Sequence, residues 1–155
     1  KNLVILRLFN VVGYYSDFVY HENKYNFKRI FNIIQNELTE NKSLKLYYYK
    51  NNNKIIFPER DFVHIKDLNL LLLKILAKLK NNSKSVVYNV GSGKPTNIKK
   101  LIEIYQNLSK IKIVYNLKKI NNIELKSIFA NIKKIKRELY WFPKNTIKSI
   151  VRSYI

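Results

Sequence analysis

The sequence predicts an α/β fold with a parallel sheet, and two observations carry this prediction. Short apolar strands alternate with amphipathic helical stretches along almost the whole chain. The run at residues 3–6 is continuously apolar, which is typical of a parallel strand that is buried on both faces, and residues 86–90, apolar except for Asn89, are predicted to be a second buried strand. The second run is followed by a glycine turn and another helical stretch, so the strand, turn and helix order recurs.

Each predicted element has a local signal. Apolar residues spaced by three and four indicate helices, β-branched or alternating runs indicate strands, and Asn clusters indicate turns. Asp67 stands where a helix start favours an acid, and Thr96 or Asn97 is expected to cap the helix that follows the glycine turn. The predicted strands are 3–10, 44–48, 55–57, 62–65, 86–90 and 111–115, and the predicted helices are 26–38, 68–79, 98–105, 132–139 and 146–154.

The composition describes a basic single domain of 155 residues with a formal net charge of +20. Only five of the 30 basic residues are arginines and the lysines are scattered, so nucleic-acid binding is not expected. We interpret the charge as a solvated surface whose many lysines reflect a preference for AT-rich codons. The absence of cysteine excludes a disulfide framework. No apolar run reaches the ~20 residues of a membrane span, and we expect a cytoplasmic protein.

Two features that resemble ligand sites are interpreted as structural. The turn Gly91-Ser92-Gly93-Lys94 has Tyr88 and Pro95 where a nucleotide-hydrolase phosphate loop needs Gly and Ser or Thr, so a tight strand-to-helix turn is predicted. His64 is predicted to pack or hydrogen-bond within its strand. With only two histidines, no metal-binding spacing is found.

Five sequence blocks, at residues 6–13, 60–65, 86–93, 129–134 and 137–143, occur in the order of one enzyme family. With them the chain resembles the carboxy-terminal half of the NAD-dependent sugar-nucleotide epimerases and dehydratases, closest to the UDP-glucose 4-epimerases. The resemblance implies that residues 1–155 form the carboxy-terminal part of a Rossmann-type parallel sheet plus the small α/β substrate-binding domain. The amino-terminal NAD-binding half is absent from this sequence.

The resemblance also implies a set of site residues but no catalytic ones. The family's Tyr-x-x-x-Lys pair lies upstream of the first block. The three Tyr-x-x-x-Lys spacings present here, starting at Tyr20, Tyr115 and Tyr140, are close to the roughly two expected by chance. By resemblance Phe9 contacts the NAD cofactor, and the substrate-binding residues are Asn10, Asn26, Phe27, Lys45, Leu46, Tyr47, Arg60, Asn121 and Glu124.

Several of these residues have an alternative structural interpretation. Phe9 and Tyr47 could be core aromatics, Asn10 could be a turn residue, and Arg60 could form a local ion pair with Asp61. The chain departs from the family at Asn121, where an arginine that binds the diphosphate is expected. Lys118 or Lys119 could supply that charge through a shift of register.

Two functions from different classes remain open at this stage. The first is the substrate-binding half of a UDP-glucose/UDP-galactose 4-epimerase, or of a nucleotide-sugar dehydratase, which would use NAD, form a homodimer when complete and be inactive alone. The second is a basic, non-catalytic binding protein derived from such a fold, whose net charge of +20 serves an acidic partner. No membrane partner is expected.

Overall fold

The fold is described by a computed structural model that covers residues 3–14, 29–40, 42–80, 84–120 and 125–155. It confirms the predicted α/β class with parallel strands. The strands are β1 (Val4–Leu8), β2 (Asn10–Val12), β3 (Leu44–Asn51), β4 (Lys54–Ile56), β5 (Glu59–Arg60), β6 (Phe62–His64), β7 (Val86–Val90), β8 (Thr96–Asn97), β9 (Tyr115–Lys119) and β10 (Ser127–Ile128). The helices are α1 (Ile30–Thr39), α2 (Ile65–Lys80), α3 (Ile98–Ser109), α4 (Lys133–Leu139) and α5 (Ile147–Arg152).

A first group of elements is built on two parallel strand pairs, β1 with β7 and β2 with β6. The chain crosses from β1 to β2 at Phe9, whose amide donates to the carbonyl of Val90 at 2.9 Å. Helices α2 and α4 pack on one face of the β1–β7 pair and form the first hydrophobic cluster around the buried residues Leu71, Tyr88 and Ile135.

A second group surrounds the longest strand, β3. It pairs antiparallel with β4 through a two-residue turn in which Asn52 and Asn53 both have positive φ, and in parallel with β9. Helices α1, α3 and α5 cover it and form the second hydrophobic cluster. The β2–β6 pair joins the groups, because Val63 belongs to the first cluster and its neighbour Phe62 to the second.

Three short strands complete the architecture: β5 lies between β10, to which it is parallel, and β8, to which it is antiparallel. Of the two predicted caps, Thr96 and Asn97, it is Asn97 that caps α3, since its side chain accepts from the amides of Lys99 and Lys100. No helix in the described ranges is long and apolar enough to cross a membrane.

The structure corrects one local prediction and adds two observations on α2. The strand expected at 111–115 begins only at Tyr115, because β9 takes its register from β3 and pairs Tyr115 with Leu44. As predicted, Asp67 lies in the first turn of α2, and its buried carboxylate accepts from the amides of Lys144 and Asn145 at 3.0 and 3.1 Å. Helix α2 is not fully buried, since Leu73 is 64% exposed.

One buried carboxylate holds together three separate parts of the chain. Asp61, which is fully buried between β5 and β6, accepts from the amides of Ser92 and Gly93 at 2.6 and 3.0 Å and from the amide of Ala130 at 2.9 Å. Its backbone carbonyl accepts from both nitrogens of Asn10. A charged acceptor with several donors is a strong arrangement when buried.

Replacing Asp61 by Asn is expected to lower the free energy of unfolding by about 2–4 kcal/mol. The Asn side chain has nearly the same shape, but its amide nitrogen would face a backbone N–H and leave buried donors unpaired. Urea unfolding of the native protein that carries this chain measures the change. The matched control is Glu103→Gln, an exposed acid 4.0 Å from Lys99, for which a change below about 0.5 kcal/mol is expected. Equal effects of the two substitutions would contradict the role given to Asp61.

Candidate functional site

Two connected clefts, each of about 550 Å³, lie between the first and second groups of elements. Both are lined by Asn10, Arg29 and Arg60. The first cleft extends from these residues along the end of β1, and its other lining residues are Leu8, Phe9, Val11 and Ile128. The second cleft extends under α1 towards β3, and its other lining residues are Val12, Ile30, Phe31, Ile33, Lys45, Leu46, Tyr47, Pro58, Phe62, Ile98 and Ile120.

The clefts bring together six of the ten predicted site residues, which are far apart in sequence. Phe9 lines the first cleft, Lys45, Leu46 and Tyr47 line the second, and Asn10 and Arg60 line both. Their ligand contacts stay predictions. The other four predicted residues, Asn26, Phe27, Asn121 and Glu124, lie outside the described part of the chain.

Asn10 is oriented by the backbone of the strand beside it. Its side-chain nitrogen Nδ2 donates to the carbonyl of Asp61 at 2.8 Å, and its main-chain nitrogen donates to the same oxygen at 3.2 Å. Asn10 is therefore both a structural residue at the start of β2 and a lining residue of both clefts. The two interpretations offered by the sequence are compatible.

Two main-chain carbonyls hold the side chain of Arg60 at the cleft. Its Nη1 donates to the carbonyls of Glu59 and Leu125 at 2.9 and 3.0 Å. The carboxylate of the neighbouring Asp61 accepts hydrogen bonds from the amides of Ser92 and Gly93. A planar group with several donors in a fixed orientation is well suited to bind phosphate oxygens.

Three consecutive residues of strand β3 line the second cleft, and their exposure to solvent alternates. Leu46 is buried in the second hydrophobic cluster, whereas Lys45 and Tyr47 are exposed. The Tyr47 ring, 42% exposed, has the Nζ of Lys118 at 5.9 Å from its centre. Tyr47 is therefore not a core residue, and an exposed ring at a cleft can stack on a flat ligand group.

The electrostatic character of the clefts is positive. Their described lining contains Arg29, Lys45 and Arg60 and no acidic residue. Arg29, immediately before α1, was missed by the analysis of the sequence. Because only five of the 30 basic residues are arginines, each arginine could have been considered a candidate for binding an anion.

The glycine turn is structural, as predicted. The amides of Ser92 and Gly93, which would face the anion in a phosphate loop, bind the carboxylate of Asp61 instead. A Cβ on Gly91 would lie only 2.5 Å from Oδ2 of Asp61. Only glycine therefore fits at position 91, and the anion that the turn binds is part of the protein.

His64 is also structural. It is buried, and its Nδ1 accepts from the amide of Lys66 at 3.0 Å. A Cβ on Gly13 would lie 2.7 Å from its Nε2. Burial lowers the pKa of His64 below the usual 6.5, and the nearby Asp67 opposes this shift without reversing it.

No catalytic pair is found among the described residues. Tyr115 and Lys119 lie at opposite ends of strand β9, where four residues span about 13 Å. Tyr140 follows the end of α4 in a left-handed conformation. A tyrosine and a lysine four residues apart meet only on a helix, so neither spacing forms the pair. The described residues also contain no metal-ligand cluster.

Comparisons with known proteins agree on one family. The family model described as "NAD dependent epimerase/dehydratase family" matches residues 1–91. UDP-glucose 4-epimerase 1 of Oryza sativa subsp. japonica is 26% identical over 157 residues, covering 97% of this chain and 44% of that protein.

Solved structures show the same fold. The UDP-glucose-4-epimerase from Stenotrophomonas maltophila, with bound NAD and formylated UDP-arabinopyranose, has a TM-score of 0.83 at 18% identity, covering 99% of this chain and 46% of that one. The UDP-Glc/GlcNAc 4-epimerase from Campylobacter jejuni has a TM-score of 0.74 at 26% identity, covering 99% of this chain and 47% of that one. This chain thus spans less than half the length of these relatives.

The stability of the protein is expected to fall on acidification because of His64. The folded state lowers the pKa of this ring below 6.5, so as the pH falls through that value the unfolded state binds more protons and the free energy of unfolding decreases. In His64→Gln, the decrease between pH 6.5 and about pH 5 should be smaller, because Gln does not titrate. Urea unfolding at a series of pH values measures both slopes, with the plateau above pH 6.5 as the internal control. Parallel curves would contradict the role of His64.

Proposed function

Because the chain belongs to the NAD-dependent epimerase/dehydratase family, we propose that it is the nucleotide-sugar-binding half of such an enzyme. The proposed substrate is a UDP-hexose and the proposed reaction is its 4-epimerisation. The UDP-glucose 4-epimerases among the relatives support this choice of substrate.

The observation that carries the proposal is the pairing of positive charge with an exposed ring in one cleft. Arg29, Arg60 and the exposed ring of Tyr47, on strand β3, all line the second cleft. A nucleotide sugar has the complementary parts, a negatively charged diphosphate and a flat base. Guanidinium groups bind phosphate oxygens in pairs, and aromatic rings stack on bases.

The exposed apolar surfaces of the first group support the proposal that another part of the enzyme packs against it. Among the described strands β1 pairs only with β7, so its other edge is open. On the face opposite α2 and α4, Ile5 is 46% exposed. Leu73 and Leu76 on α2 are also exposed, at 64% and 57%. Parallel sheets are normally covered on both faces, so we propose that an NAD-binding half adds strands and helices here.

In the complete enzyme, NAD would accept and return a hydride at the sugar, which is chemistry that side chains do not supply. The described residues of this chain would bind and orient the cofactor and the substrate. Phe9, which directly follows β1, would border the nicotinamide, and Arg60 would bind the diphosphate. Tyr47 would stack on the uracil, so the sugar would be directed into the first cleft.

Two alternatives use the same surface differently. A nucleotide-sugar dehydratase half would need the same diphosphate and base contacts, and it is distinguished by its product. A basic, non-catalytic binding protein is favoured by the net charge of +20. It would bind acidic polymers through dispersed lysines and would not need arginines at one cleft.

Arg60→Ala is expected to weaken UDP-glucose binding about 10- to 100-fold, because a charge-assisted contact to the diphosphate is lost. Isothermal titration of the native protein that carries this chain measures the dissociation constant. Arg137→Ala is the matched control, since this arginine lies on α4, is 79% exposed and lines neither cleft. An unchanged dissociation constant in Arg60→Ala, or an equal loss in the control, would count against the proposed site.

The proposed NAD-binding half is tested on the native gene product. We expect an intact mass of about twice 18.6 kDa, a glycine-rich dinucleotide fingerprint and a Tyr-x-x-x-Lys pair upstream of Lys1, and NAD in the purified protein. A separate protein with these features that co-purifies with the chain would meet the same expectation. A native product of 18.6 kDa without such a partner would contradict the proposal.

A further inference from the structure

Arg29 occupies a position in the cleft that the proposed function does not by itself assign. It directly precedes α1, with an extended backbone at φ −84° and ψ 142°. Together with Asn10 and Arg60 it is one of only three described residues that line both clefts. These three residues therefore mark the junction at which one cleft passes into the other.

The two clefts continue in different directions from this junction and differ in their linings. The first leads past Phe9 and the end of β1, and the second leads to Lys45 and Tyr47 on β3. A nucleotide sugar has the same order of parts: the sugar, the diphosphate and the base. With the base at Tyr47 and the sugar beside Phe9, the diphosphate lies at the junction.

The chemistry at the junction matches a diphosphate. Two of its three residues are arginines, and the third, Asn10, is uncharged. The described lining of the two clefts contains three basic residues, Arg29, Lys45 and Arg60, and no acidic one. Other basic residues are less well placed: Lys45 lines the second cleft only, and Lys118 stands over the ring of Tyr47.

Resting on the proposed function, we propose that Arg29 is a second diphosphate-binding residue. It holds the diphosphate from the α1 side while Arg60 holds it from the β5 side. Each guanidinium can bind two phosphate oxygens, and two such groups together offset most of the diphosphate charge.

The test compares the affinities of UDP and uridine for the native protein that carries this chain. Arg29→Gln should weaken UDP binding about tenfold or more and leave uridine binding within about twofold, because uridine has no phosphate. Arg29→Lys keeps the charge but not the planar group, and should recover part of the loss. Arg152→Gln is the matched control: this arginine lies on α5, is exposed and lines neither cleft.

Each outcome decides between the inference and the proposed function. If Arg60→Ala weakens UDP binding and Arg29→Gln does not, the inference is overturned and the proposed function stands. Equal losses for UDP and uridine in Arg29→Gln, or an equal loss in Arg152→Gln, also overturn it. If the unaltered protein binds no UDP at low salt, both are overturned. Matching thermal unfolding temperatures confirm that the variants are folded.

Discussion

The rest of the structure depends on the hydrogen bonds that backbone amides donate to the carboxylate of Asp61. It is fully buried and satisfied by the amides of Ser92, Gly93 and Ala130, so it ties the segment that follows β7 and the segment that follows β10 to the start of β6. Its carbonyl fixes Asn10 at the beginning of β2. The residue before it, Arg60, is thereby placed at the cleft. The same local chain segment thus supplies a structural anion and a cation that lines both clefts.

The basic residues of this protein are not equally placed with respect to the clefts. Of the 30 basic residues 25 are lysines, whereas two of the five arginines, Arg29 and Arg60, line both clefts. Arginine can bind an anion in a fixed geometry, and lysine acts as a mobile point charge. The total charge therefore says little about the ligand, and the positions of the arginines say more.

Several site residues serve the fold as well as the proposed ligand. Asn10 uses Nδ2, and Arg60 uses Nη1, to bind main-chain carbonyls, and Leu46 contributes to the second hydrophobic cluster. Such contacts hold the side chains in place before a ligand arrives, which lowers the entropic cost of binding. The uncovered face of α2 and the open edge of β1 are different: they are consistent with surfaces that a further α/β half would cover.

The sequence by itself determined the α/β class and most helices and strands, because hydrophobic periodicity and turn residues are local properties. Six residues that line the clefts were indicated by the resemblance of five ordered sequence blocks to a known family. The limits of β9, the partial exposure of α2 and the roles of Asp61 and Arg29 were decided only by the tertiary structure. Strand pairing sets the register of β9, and the partners of Asp61 lie 31 to 69 residues away. Long-range partners leave no periodic signal in a sequence, so an acid such as Asp61 has the pattern of a surface residue.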